Sequence, residues 1–140
     1  MNYNFQRKRR NKYNNRKVSI AGEKFDSKKE SQRWLYLSEM QQKGIISDLK
    51  RQVKYELIPA IRETYTKHLK TKDKQEERTL QLAINYIGDF EYVRNGEKVI
   101  EDIKPCEFLL PKDYVLKQKL FFWKYGIRIK KVYKWNEPIP

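Results

Sequence analysis

A chain of 140 residues with 32 lysines and arginines against 18 aspartates and glutamates carries a net charge of +14 and has a pI near 9.8. The length suits one domain with one sizeable core, and the basic excess points to a polyanionic partner, DNA or RNA by default. The lone Cys106 excludes an internal disulfide, no zinc-spaced His/Cys cluster surrounds His68, no apolar run reaches a membrane span, and the polar, basic N-terminus is unlike a signal peptide; a soluble, cytoplasmic protein is expected.

In chain order, residues 1–16 form a basic arm containing Arg7, Lys8, Arg9, Arg10 and Lys12 and no acid, expected to lie flexibly along phosphate backbones. A short strand at Lys17–Ile20 and a turn at Ala21-Gly22 open a single domain spanning 17–135. Ser27–Lys43 reads as a helix, with Trp34, Leu37 and Met40 or Gln41 at helical spacing and Gly44 as its stop. Ser27 and Glu30 have the spacing of a capping box, a complete structural role for Glu30. After a connector at 45–49, Val53, Tyr55 and Leu57 alternate with polar residues as a half-buried strand ending at Pro59. Residues 62–78 are charged and nearly free of large apolar side chains, which predicts a loop or flexible hairpin tip, ordered on DNA.

Thr79–Tyr92 reads as one long strand paired with Lys98–Lys104. Lys112–Tyr125 reads as a second helix with Leu116, Leu120 and Trp123 as its core row and Gly126 as its stop. A last strand at Ile127–Tyr133 and a tail at 136–140 complete the chain. The fold class is α/β, a mixed sheet flanked by helices in the order β-α-β-β-β-α-β. Tyrosines and Trp135 beside basic residues read as amphipathic core edges more readily than as base-stacking platforms.

Asn95-Gly96 between two β-rich runs is a strong hairpin signal, because both central residues of a type I′ turn need positive φ. A two-residue loop sets Arg94 opposite Glu97 and therefore Asp89 opposite Asp102. Directly opposed carboxylates repel; a hard divalent cation relieves this with oxygen ligands. Strand alternation puts Lys104 on the face of Asp102, with Glu101 and Ile103 on the other.

Asp89 followed by Asp102-Ile103-Lys104 resembles the metal-binding core of the PD-(D/E)xK nuclease superfamily. The blocks FDSKKE (25–30), YELIPA (55–60), YIGDFEY (86–92), VIEDIK (99–104) and YVLKQKLF (114–121) more closely resemble small phage proteins of the DUF1064 type, grouped with those nucleases. The likeness spans residues 12–133 and implies a restriction-endonuclease-like core. By resemblance, Asp89, Asp102 and the Ile103 carbonyl hold Mg²⁺, for which Mn²⁺ would substitute. Glu30 completes the site directly or through water, Lys104 orients or deprotonates the attacking water, and Lys117 or Gln118, beside Lys119, lies near the scissile phosphate. The chain departs from the pattern at Pro105–Pro111, where a glycine is usual after the lysine; Leu109 and Leu110 there are candidates for a partner or dimer contact.

The expected activity is a Mg²⁺-dependent DNA endonuclease leaving 5′-phosphates. Branched DNA is the expected substrate, cut by a homodimer in the manner of a Holliday-junction resolvase, since two symmetric sites suit two symmetric nicks. The alternatives are a sequence-specific or nicking enzyme, a non-catalytic nucleic-acid-binding module of the same fold, and a structural phage protein that binds DNA during packaging.

Overall fold

The computed structural model describes residues 17–140; the basic arm, with Arg7, Lys8, Arg9, Arg10 and Lys12, lies outside the described residues. Ala21 and Gly22, at φ 50° and 83°, fold β1 (Val18–Ile20) onto β2 (Glu23–Phe25), a three-residue strand too short to show a period in sequence. In α1 (Lys28–Gln42) the Ser27 Oγ accepts the Glu30 N–H at 3.2 Å. The main sheet has the order β3 (Ser47–Ile58), β6 (Ile84–Arg94), β7 (Glu97–Ile103) and β8 (Lys130–Val132), antiparallel except for the parallel β7–β8 pair. The fold is thus α/β with a mixed sheet. Its two helices cover opposite faces. Leu37 of α1 packs with Ile46, Phe90 and Tyr92, while Tyr114 and Phe121 of α2 (Lys112–Tyr125) pack with Leu57, Tyr86, Ile100 and Ile129.

Of the loop or hairpin tip expected at residues 62–78, the structure has the hairpin: β4 (Ile61–His68) and β5 (Asp73–Gln81) form a separate two-stranded ribbon. Four other expectations change. The long strand expected at Thr79–Tyr92 is therefore two, broken at Leu82-Ala83 and divided between two sheets. The connector at 45–49 is already strand from Ser47, and the last strand is confined to Lys130–Val132. In α2 the core row is Tyr114 and Phe121, while Leu116 and Trp123 are 59% and 81% exposed and only Leu120 of that row touches the core. Both rows are apolar at helical spacing, so periodicity alone does not choose between them.

The main sheet carries a reversal that positions the site. Arg51 and Phe90 are paired and lie against Trp34 on the α1 side, whereas Tyr55 and Tyr86, also paired, lie against Phe121 on the α2 side. Residues four apart in a regular strand share a face; here they do not. Between the two pairs Gln52 adopts φ 50°, and the Gln52–Asp89 pairing is missing while its neighbours keep register. The reversal also explains Gly88, where an added Cβ would lie 2.9 Å from Ile100 Cγ2. Gly88 and Asp89 both turn toward the α2 side, one against Ile100 and the other toward Asp102. Among the described residues no helix is long and apolar enough to cross a membrane.

Candidate metal centre at the β6–β7 hairpin

Asn95 and Gly96 take φ 52° and 80°, and Arg94 pairs with Glu97 and Phe90 with Glu101, the register that brings Asp89 level with Asp102. The Asp89 Oδ2 accepts the Ile103 N–H at 2.7 Å, and Gln52 Nε2 donates to its Oδ1 at 3.4 Å. Asp102 is 3% exposed, and its Oδ2 lies 3.0 Å from Lys104 Nζ, which sits 3.9 Å from the centre of the Tyr114 ring. Glu101 and Ile103 face α1 instead. Two carboxylates and an amine therefore share one partly enclosed spot on the α2 face.

Burial first, and then the negative charge of Asp102, push the Asp89 carboxyl up to about 8, against the pull of the Ile103 N–H. Without a cation the pair holds a proton near neutral pH. Mg²⁺ commonly binds through one or two carboxylates plus water and phosphate oxygens, so this donor set suits it. Two buried hydroxyls strengthen the fit. Among the described residues the Tyr86 and Tyr114 Oη atoms make no well-formed hydrogen bond, though both lie close enough to Asp102 for its charge to add to burial in holding the phenols protonated. Buried polar atoms are seldom left unpaired, and exceptions call for an unseen water, ion or ligand.

A family model described as a protein of unknown function, DUF1064, matches residues 10–136. The chain belongs to the DUF1064 family. No curated protein and no solved structure matches it.

The other sequence-derived residues of this DUF1064 chain are arranged differently. Glu30 is held at the start of α1, where its Oε2 accepts the Asp26 N–H at 3.3 Å. Its charge nevertheless reaches Asp89, and burial raises its own pKa. Among the described residues no three His, Cys, Asp or Glu side chains form a ready-made cage. On α2, Lys117 and Gln118 are half-buried and Lys119 is exposed. In the 105–111 segment the Pro105 carbonyl accepts from Lys29 Nζ at 3.3 Å, and Phe108 and Leu109 are 91% and 63% exposed.

Sequence reasoning missed Tyr86 and Tyr114. Regular alternation puts Tyr86 on the face away from Asp89, and only the reversal at Gln52 and Asp89 brings them together. It also missed what holds α1 to the sheet. Arg33 and Glu101 are both fully buried and joined by two hydrogen bonds, Nε to Oε2 at 2.8 Å and Nη2 to Oε1 at 2.6 Å. Tyr92 Oη donates to the same Glu101 Oε1 at 2.7 Å, and Arg33 Nη1 donates to the Trp135 carbonyl at 3.0 Å. The C-terminal tail is thereby tied to α1.

A pH dependence follows for the metal-free protein. The folded-state pKa of Asp89 lies above its ordinary 3.8, so its contribution is complete below about pH 4 and is lost as pH rises toward 8. In EDTA, Asp89→Asn should match the wild-type Tm near pH 4 and exceed it by roughly 3 °C or more at pH 8. The amide oxygen still accepts the Ile103 N–H. A Tm difference that stays flat across this range, followed by circular dichroism, would mean that the two carboxylates do not share a proton.

Proposed function

We propose that this protein is a Mg²⁺-dependent endonuclease that hydrolyses phosphodiester bonds in DNA. The observation that carries the reading is the convergence of Asp89, Asp102 and Lys104, with the Tyr86 and Tyr114 hydroxyls beside them and unpaired among the described residues. Asp89 and Asp102, with the Ile103 carbonyl, would hold the ion, and Glu30 would approach it directly or through water. When bound, Mg²⁺ supplies Lewis-acid polarisation of the scissile phosphate and acidification of a coordinated water.

The chain's own groups supply the rest. The Ile103 N–H fixes Asp89 Oδ2, while Oδ1, which accepts only the long contact from Gln52 Nε2 at 3.4 Å, keeps a lone pair for coordination. With the ion bound, the Asp89–Asp102 pair would be held without its shared proton. Lys104 Nζ, 3.0 Å from Asp102, would orient the attacking water, or deprotonate it from the neutral amine form. The water oxygen bonds to phosphorus as the P–O3′ bond breaks, the departing 3′-oxygen takes up a proton, and a 5′-phosphate remains. The Tyr86 and Tyr114 hydroxyls are donors kept protonated by burial and stabilise negative charge at Asp102 or at a phosphate oxygen. Tyr114 also walls one side of the Lys104 ammonium.

The mixed sheet with a helix on each face supports a restriction-endonuclease-like core of the PD-(D/E)xK kind, and the host-cell cytoplasm suits such an enzyme. The exposed apolar side chains of Phe108, Leu109, Leu116 and Trp123 support assembly as a homodimer. A symmetric pair of sites favours branched DNA, in the manner of a Holliday-junction resolvase.

The deciding experiment incubates labelled linear, nicked and four-way DNA with the wild type and Lys104→Ala, in Mg²⁺ and in EDTA. Cleavage that needs Mg²⁺ and falls by about 10²-fold or more in the variant is expected. Binding with no Mg²⁺-dependent cut would replace the enzyme with a DNA-binding module, and equal cutting of all three substrates would remove the preference for junctions.

A further inference from the structure

The β4–β5 ribbon has no role in the carboxylate site and no core of its own. Nearly every residue in it is exposed on both faces, and its strands pair only with each other. An isolated two-stranded hairpin is marginal in water, so what holds this one must lie across the strands. On one face Glu76 accepts from Tyr65 Oη at 3.0 Å and from Lys74 Nζ at 3.2 Å, with Lys67 Nζ at 3.6 Å. Arg78 pairs with Glu63 and lies 5.5 Å from the Tyr65 ring centre. On the other face Gln75 Nε2 donates to Thr66 Oγ1 at 2.8 Å, and the His68 ring meets Asp73 at 2.8 Å.

These pairs sort the charges along the ribbon. The glutamates Glu63, Glu76 and Glu77 all lie in the stem, whereas the tip carries Lys67, Lys70, Lys72 and Lys74 against Asp73 alone. Lys67 and Lys74 face each other across the ladder and share the single carboxylate of Glu76. Lys70 and Lys72, in the turn, form no ion pair among the described residues, where Asp73 is matched with His68. Like charges directly opposed destabilise a ribbon. A tip that concentrates them while its stem neutralises them is shaped for a polyanion rather than for solubility.

We infer that the β4–β5 ribbon is a DNA-docking arm: its tip enters the major groove of a duplex segment flanking the cleavage site, where Lys67, Lys70, Lys72 and Lys74 engage backbone phosphates. This rests on DNA being the substrate of the Asp89–Asp102 site. The major groove of B-form DNA is about 12 Å wide and admits a two-stranded ribbon. Eight residues of β4 reach about 26 Å, far enough to cross a duplex. The ribbon joins the sheet between Ile58 and Ile84, and Ile84 is in the same strand as Asp89, so a docked arm also sets the position of the duplex relative to the carboxylates. The major groove of A-form RNA is too narrow and deep for side chains to read.

The test measures affinity of the full chain for labelled DNA and RNA duplexes of equal length in EDTA, over a salt series. The variant replaces Lys67, Lys70, Lys72 and Lys74 by Gln. A control replaces Lys17, Lys24, Lys43 and Lys134 by Gln and so makes the same change in net charge. On DNA the ribbon variant should bind roughly 10- to 100-fold more weakly and its salt slope should fall by about 2–4. The control should stay near the wild type, and replacement of the four ribbon lysines by Arg should retain binding. An unchanged slope, an equal loss in the control, or an equal loss on the RNA duplex would overturn the inference. Wild-type cleavage in Mg²⁺ separates the two readings. Cleavage with an unaltered ribbon variant leaves the nuclease and removes the arm, whereas weakened variant binding without any wild-type cleavage leaves the arm and removes the nuclease.

Discussion

Asp102→Asn should reduce Mg²⁺-dependent cleavage by at least about 10²- to 10³-fold while leaving DNA affinity unchanged or improved. The amide keeps the volume of a side chain that is 3% exposed but removes the charge that would hold the cation and that pairs with Lys104. That charge also repels phosphate, so binding measured in EDTA should not suffer. A readout independent of activity comes from ligand linkage, because a bound ion stabilises only the state that binds it. Mg²⁺ should raise the Tm of the wild type and not that of Asp102→Asn. Full cleavage by the variant, or an equal Mg²⁺ shift in both proteins, removes Asp102 from the ligand set.

The largest effect on stability is expected at Arg33. Its guanidinium is fully buried and bound to Glu101 through two hydrogen bonds, with two more to the Trp135 and Glu137 carbonyls. Arg33→Ala strands the Glu101 carboxylate beside Tyr92, with Lys130 Nζ 3.7 Å away as the nearest cation. Removing one member of a buried pair costs about 3–5 kcal/mol, a fall in Tm of roughly 10 °C or more. The midpoint of urea unfolding should drop with little change in slope. The double variant Arg33→Met with Glu101→Leu should recover much of the loss, because replacing a buried ion pair by apolar residues of similar volume is often neutral. A loss below about 1 kcal/mol in Arg33→Ala would show that the pair holds neither α1 nor the C-terminal segment in place.

The outcome at particular elements shows why some of this was legible. The Asn95-Gly96 turn fixed the β6–β7 register because its two residues tolerate the positive φ that the turn requires, and register then set Asp89 against Asp102. The caps of α1 and α2 were equally local: Ser27 accepts the Glu30 N–H and Gly126 takes φ 69°. The ribbon was legible only as one of two alternatives, a loop or a hairpin tip, since its stability comes from ion pairs and hydrogen bonds between strands and leaves no apolar alternation to read. The α2 core row was misassigned because that helix carries two apolar rows and only contact with Tyr55 and Tyr86 selects Phe121.

The sequence by itself determined a basic α/β domain, the two helices, the hairpin and the meeting of Asp89 with Asp102 and Lys104, because caps, tight turns and strand alternation act over a few neighbouring residues. The tertiary structure alone decided which row of α2 is buried, that Arg33 reaches Glu101, and that Tyr86 stands beside the carboxylates. Each of these depends on side chains distant in sequence, and the last depends on a backbone reversal at Gln52 and Asp89 that no local pattern encodes.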